Sequence, residues 1–478
     1  MKRISVQGDR FYRGQDPFFS MGFEYAPSTS PGSDPIGGDW SVLCRYDDAV
    51  IEREVAGMAE CGANTVRVWI AYAEEHWTDG HMFTATARRN LAHFLDNCAR
   101  HNIYVNVTVG GSGTLWGIRR GLGNMFMTSP ARVYTEPAVE EAFLTDVLTV
   151  MAEGDLGTRP NILGIDLANE PIFGIPWATC AGVGAAWKAQ GSEDFDSSLR
   201  LPGVASAWEH WTRERLGETL PIPLERDFLA PDGRRTLTAQ YHAFVHSCFR
   251  RHARRLAGTI RDRWPRTLVT IGFGCGGTGA NFEGGSPGEA LQTLMLTQNI
   301  REMQDGLDFV CIHLYDGTDL ERVHFLRDFI GSDRPILIQE FGHIPQCVSP
   351  MTGEESAGDR EAQAALWQAG MTGARCFNYA GFIGSNFVDF DNPEPTRNVW
   401  ARMGITTRDG QRKLAYDSFR RWALSGEAPA DYHPRPLPYD PGAYRHSVQA
   451  MGELYAGWRL SAGRTRAMSG THRTESTP

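Results

Sequence analysis

Two glutamates in this sequence each close an apolar run. The first ends Ile162-Leu-Gly-Ile-Asp-Leu-Ala-Asn169-Glu170 and precedes Pro171; the second ends Ile336-Leu-Ile-Gln-Glu340 and precedes Phe341-Gly342. The proline turns the chain out of an extended segment, and the glycine permits a turn. A carboxylate behind a buried apolar run is costly unless it is paired or used. Glycoside hydrolysis needs two such groups. One carboxyl, held protonated, gives its proton to the departing oxygen; the other, kept ionised, attacks the anomeric carbon, the pair standing about 5–5.5 Å apart in retaining enzymes. Two structural, salt-bridged glutamates are the alternative reading.

These residues need strands to present them. Short apolar runs alternate with longer amphipathic segments, the pattern of parallel βα units. The expected strands are Phe18–Phe23, Thr65–Ile70, Tyr104–Val109, Ile162–Leu167, Thr267–Phe273, Phe309–Leu314, Ile336–Phe341 and Cys376–Phe382. The helices between them are expected at about Asp47–Cys61, Ala85–His101, Pro137–Ala152, Leu237–Trp264, Glu289–Gln304, Leu320–Ile330, Asp359–Met371 and Lys413–Leu424. Eight strand–helix pairs in order predict an α/β fold, a closed (β/α)8 TIM barrel. The chemically distinctive residues fall at strand C-terminal ends, where such barrels keep their sites.

Further residues share those ends. Arg67 closes Asn-Thr-Val-Arg, and an adjacent guanidinium keeps a carboxylate ionised. His313 and Tyr315 alternate and so point to one side. Glu24 ends the first strand within reach of a substrate hydroxyl, although a structural role fits it equally. Trp69 follows Arg67 by two positions and shares its face, with core packing as the alternative. The long insertion after strand four, 171–236, carries Trp177, Trp187, Trp208 and Trp211. It begins directly after Glu170 and is expected to wall the site.

With Asn-Glu-Pro on strand four and a second glutamate ending strand seven, the chain resembles the clan of retaining (β/α)8 glycosidases, family 5 most closely. The resemblance spans roughly Phe18 to Leu424. It implies that Glu170 is the acid/base, Glu340 the nucleophile and Asn169 the residue binding the sugar 2-hydroxyl. It further implies that Arg67 and Tyr315 bond to the nucleophile, and that His313 touches substrate. Two family features are missing: no histidine ends strand three, and no tryptophan lies in the expected strand eight, so that Tyr379 or Phe377 forms the sugar floor or the floor lies elsewhere. Trp208-x-x-Trp-Thr-Arg-Glu-Arg-Leu-Gly with Pro221-Ile-Pro is similar to the same region of family 42 β-galactosidases.

The remaining sequence mostly excludes. The formal charge, 47 − 57 = −10, argues against nucleic acid or an anionic membrane as partner. Nine cysteines, an odd number without a C-x-x-C pair, read as free thiols. Neither H-x-H on strand one nor H-E-x-x-H occurs, so no metal is expected. Gly274-Cys-Gly-Gly-Thr-Gly lacks the Lys-Ser/Thr of a phosphate loop. No organic cofactor is expected either. The N-terminus lacks the apolar stretch of a secretion signal, and no run spans a bilayer, so a cytoplasmic protein is expected. The expected organisation is a catalytic barrel over 1–426 and a C-terminal extension over 427–478, with a short helix near Val448–Leu460 and disorder from Gly463. The expected activity is an exo-acting β-mannosidase or β-glucosidase on small saccharides. An endo-mannanase or cellulase, a transglycosylase, and a barrel that binds carbohydrate without cleaving it are the alternatives.

Overall fold

The computed structural model describes residues 1–31, 40–70, 84–109, 128–170, 201–224, 227, 235–276, 304, 306–315, 320–343, 357–391, 399–435, 437 and 454–459. Three short strands come first: β1 (Ile4–Gln7), β2 (Arg10–Arg13) and β3 (Asp16–Phe18), paired antiparallel as one small sheet. Sequence reading missed this sheet because its strands are short and largely polar. Ile4, Phe11 and Phe18 are buried in one cluster beneath it, the two phenylalanines packing edge-on against Phe309 and Tyr104.

The barrel follows. Its strands are β4 (Ser20–Glu24), β5 (Thr65–Trp69), β6 (Tyr104–Thr108), β7 (Ile162–Asn169), β8 (Val269–Gly276), β9 (Val310–Leu314), β10 (Ile336–Phe341) and β11 (Gly381–Ser385). They pair parallel in chain order, and β11 closes on β4. The expected (β/α)8 barrel is therefore the observed fold. The strands read as nearly unbroken apolar runs because a parallel barrel sheet is covered by helices on one face and filled by side chains on the other.

The helices are α1 (Asp48–Glu60), α2 (Ala85–Arg100), α3 (Thr128–Thr135), α4 (Pro137–Glu153), α5 (Pro202–Leu216), α6 (Arg235–Arg263), α7 (Leu320–Ile330), α8 (Ala357–Cys376) and α9 (Leu414–Leu424). Asp47 caps α1 by accepting from the Val50 N–H, and Thr84 caps α2 by accepting from Ala87. The helix expected at Glu289–Gln304, Trp177, Trp187 and the tail from Gly463 lie outside the described residues. Of the insertion, α5 is described. Trp208 on it is buried against Tyr241 and Phe244, and its indole donates to the Leu220 carbonyl, so it is a packing residue.

The eighth strand begins later than expected. The run Cys376-Phe-Asn-Tyr carries strand-forming side chains, yet α8 continues through Cys376. Asn378 then adopts φ 51°, and the Tyr379 N–H bonds back to the Ala374 carbonyl. This is a left-handed helix stop, a conformation asparagine tolerates. Tyr379 therefore precedes β11, and its hydroxyl donates to the Val323 carbonyl of α7 at 2.7 Å.

The C-terminal extension packs on the barrel. Arg435 pairs with buried Asp328 of α7 at 3.0 Å, and the Trp458 indole donates to the same carboxylate at 2.8 Å. No helix among the described residues is long and apolar enough to cross a membrane.

Candidate active site

Strand register brings the polar residues into one layer at the C-terminal end of the barrel. Ser385 pairs with Glu24, and Glu24 with Arg67, across three adjacent strands. Glu340 pairs with His313 on the far side. Register shifts break strict alternation at four places among the described barrel strands, and two of them fall within the cluster. One lies between Asp166 and Asn169, the other between Ile338 and Glu340. A bulge re-aims side chains, and each lets residues of unlike parity contribute to the same cluster: Asp166 with Asn169, and Gln339 with Glu340.

Arg67 organises the layer. Its guanidinium is fully buried and every nitrogen is engaged. Nε donates to Thr108 at 3.0 Å, and Nη2 to Asn169 Oδ1 at 2.6 Å and Asp166 Oδ2 at 3.2 Å. Nη1 donates to Glu24 Oε1 at 2.7 Å and to Glu340 Oε1. The rigid fork of arginine suits such a role; a lysine has only three donors on one atom.

Glu340 receives a second bond, from the Tyr315 hydroxyl to Oε2. Burial opposes its charge, but His313, Arg67 and Tyr315 outweigh burial and hold its carboxyl below the usual range. Glu24 goes the other way. Burial and the neighbouring Glu340 charge push it up to about 7, despite Arg67 and a 2.7 Å bond from the Ser385 hydroxyl. Of two carboxylates on one guanidinium, Glu340 is the one kept ionised.

Glu170 follows the end of β7 with φ 41°, in the left-handed region that glutamate seldom occupies. Strain of this kind collects at functional sites. Its side chain is 32% exposed against 6% for Glu340. Glu170 Oε1 lies 2.9 Å from His313 Nδ1, and the Glu170, His313 and Glu340 ligand atoms all fall within 4.8 Å of one another. Those three groups have the spacing to hold a cation, but the Arg67 charge already sits on Glu340 and disfavours a second positive charge there.

The structure thus brings together Glu24, Arg67, Asn169, Glu170, His313, Tyr315 and Glu340. Trp69 joins them from the side, its ring 5.2 Å from the Arg67 guanidinium carbon. Tyr379 is not brought there, because it lies ahead of β11 and is tied to α7. Asp166, Thr108, Gln339 and Ser385 belong to the cluster and were not singled out from sequence. Asp166 and Gln339 were visible as polar residues inside apolar strands; Ser385 was hidden by the misplaced eighth strand.

No protein-family profile matches the sequence, and no curated protein is similar to it in sequence. Solved structures are similar in fold. The exo-β-1,4-mannosidase Op5Man5 from Opitutaceae bacterium strain TAV5 matches with a TM-score of 0.50 at 18% identity, over 87% of this chain and 61% of that one. GH5_18 from Streptomyces cattleya, solved with Manβ1-4GlcNAc and with GlcNAc, matches with a TM-score of 0.54 at 16% identity, over 94% of this chain and 92% of that one. The Bifidobacterium dentium β-glucuronidase matches with a TM-score of 0.50 at 18% identity, over 90% of this chain and half of that one. Fold and site together define a (β/α)8 barrel with a buried carboxylate–arginine cluster at its C-terminal face.

Proposed function

We propose that this protein is a retaining β-glycoside hydrolase acting by double displacement, with Glu340 as nucleophile and Glu170 as acid/base. The observation that carries the reading is the approach of carboxylate oxygens of Glu170 and Glu340 to within 4.8 Å. That leaves room for a sugar C1–O bond but not for an additional water, the spacing of retaining rather than inverting enzymes.

The environments divide the roles. A nucleophile must be anionic, and Glu340 has Arg67 and Tyr315 to keep it so. An acid/base must meet both the aglycone and the incoming water, and Glu170 is the more exposed carboxyl. Glu340 attacks the anomeric carbon while the bond to the leaving oxygen breaks and that oxygen takes the Glu170 proton. Glu170 then removes a proton from water, which attacks C1 and releases Glu340 as carboxylate. Asn169, held by Arg67, is assigned the sugar 2-hydroxyl, and Glu24 and Trp69, both against Arg67, are assigned to the glycone side. No cofactor is required by this chemistry.

For substrate we propose short β-mannosides or β-glucosides cleaved from one end, in the cytoplasm. The exo-mannosidase and Manβ1-4GlcNAc-bound neighbours favour mannose. A panel of aryl β-glycosides tests this: turnover is expected with the β-mannoside or β-glucoside. Measurable sugar binding without turnover on any member would make the protein a binding barrel instead.

A further inference from the structure

Behind the two glutamates lies a buried relay that double displacement does not itself require. Asp166 Oδ2 accepts from Arg67, from the Thr108 hydroxyl at 2.9 Å and from Gln339 Nε2 at 3.2 Å. A carboxylate oxygen among these donors only accepts, so the Gln339 amide must turn its NH2 toward Asp166 and its carbonyl away. That carbonyl, Oε1, sits 2.8 Å from His313 Nε2. A carbonyl only accepts, so Nε2 carries a hydrogen. The other ring nitrogen, Nδ1, faces Glu170 Oε1 at 2.9 Å and Glu340 Oε1 at 3.3 Å. Gly272 completes the arrangement: a Cβ there would lie 2.5 Å from both Gln339 Oε1 and His313 Nε2.

We propose that Gln339 is a positioning residue that locks His313 as its Nε2–H tautomer, so that Nδ1 meets Glu170 as a bare acceptor and the contact between them closes only around a shared proton. With Nε2 committed to Gln339, a neutral His313 offers Glu170 a bare lone pair. The 2.9 Å contact is then a hydrogen bond only while a proton lies on Nδ1 or on the carboxyl. Losing that proton sets lone pair against carboxylate. Without the lock, the ring could place its own hydrogen on Nδ1 and donate it to the Glu170 carboxylate, and the contact would no longer need a shared proton. The charged groups facing the ring are Glu340 and Glu170, which favour its protonation, and Arg67, which opposes it; Glu24 also interacts with its charge. Burial works against a charged ring, yet the carboxylates prevail and His313 stands above the ordinary histidine range.

The proposal rests on Glu170 being the acid/base, and the test separates the two. Gln339→Leu and Gly272→Ala disturb the lock from opposite sides. In each, the alkaline limb of kcat/KM for a poor-leaving-group aryl β-glycoside is expected to move down by about one pH unit, a tenfold loss above the wild-type limb. The limb for a dinitrophenyl glycoside should stay in place. Nitrogen-15 NMR of histidine-labelled protein, assigned with His313→Asn, is expected to show a protonated Nε2 in the wild type and its loss in Gln339→Leu. An Nδ1–H tautomer in the wild type, or unmoved alkaline limbs in both folded variants, would overturn the proposal. A Glu170→Ala variant without leaving-group dependence would instead overturn the acid/base assignment while the NMR result stood.

Discussion

Glu24 and Glu340 accept from the same nitrogen: Arg67 Nη1 donates to Oε1 of each. One guanidinium cannot fully compensate two carboxylates beside Asp166, so the burden falls on Glu24, whose carboxyl is pushed up to about 7 by burial and the Glu340 charge. A carboxyl raised in the folded state contributes stability below its unfolded pKa and loses it as pH rises through the folded one. Glu24→Gln keeps the acceptor for Arg67 and removes the titration. Its melting temperature relative to wild type is expected to climb between pH 5 and pH 8, by an amount worth up to ~3 kcal/mol. Thermal melts at both pH values check this; an identical difference at the two would contradict it.

Tyr315 acts on Glu340 in the opposite sense. Its hydroxyl, held protonated by burial and the nearby carboxylates, donates to Oε2 and lowers the nucleophile's pKa. Tyr315→Phe removes that bond. A hydrogen bond to a charged group contributes about 1.5–3 kcal/mol, so the acid limb of kcat/KM should move up by roughly one pH unit. An acid limb that stays in place would detach Tyr315 from the ionisation of Glu340.

Glu170→Ala should discriminate among leaving groups. General acid catalysis is worth about 10²–10⁴-fold, and an activated dinitrophenolate needs little of it in the bond-breaking step. The loss is expected to be largest for phenyl or alkyl β-glycosides. Azide should then restore release of the glycosyl-enzyme, giving a β-glycosyl azide. A uniform loss across leaving groups would argue against the acid role.

Much of this site was legible because barrel chemistry is written at strand ends. Apolar runs closing on Glu170, Glu340, Arg67 and His313-x-Tyr315 placed each residue at the rim without knowledge of any contact. The polar support was harder to see for a definite physical reason. Period-two reasoning sets Asp166 and Asn169, or Gln339 and Glu340, on opposite faces, and bulges that no local signal announces bring each pair together. The eighth strand failed differently. Phe377 and Tyr379 have strand-forming side chains, but the left-handed Asn378 shows the run to be a helix stop. The expected aromatic floor went with it, and Ser385 came into view in its place.

The most direct measurement is to trap the intermediate. A 2-deoxy-2-fluoro β-mannosyl or β-glucosyl donor with a good leaving group slows the second step and leaves the sugar attached to the nucleophile. Peptide mass spectrometry is expected to find one adduct, on Glu340, with Glu340→Gln unlabelled. A sugar carried by Glu24 or Glu170, or turnover that releases the inverted α-anomer first, would contradict Glu340 as the nucleophile of a retaining hydrolase.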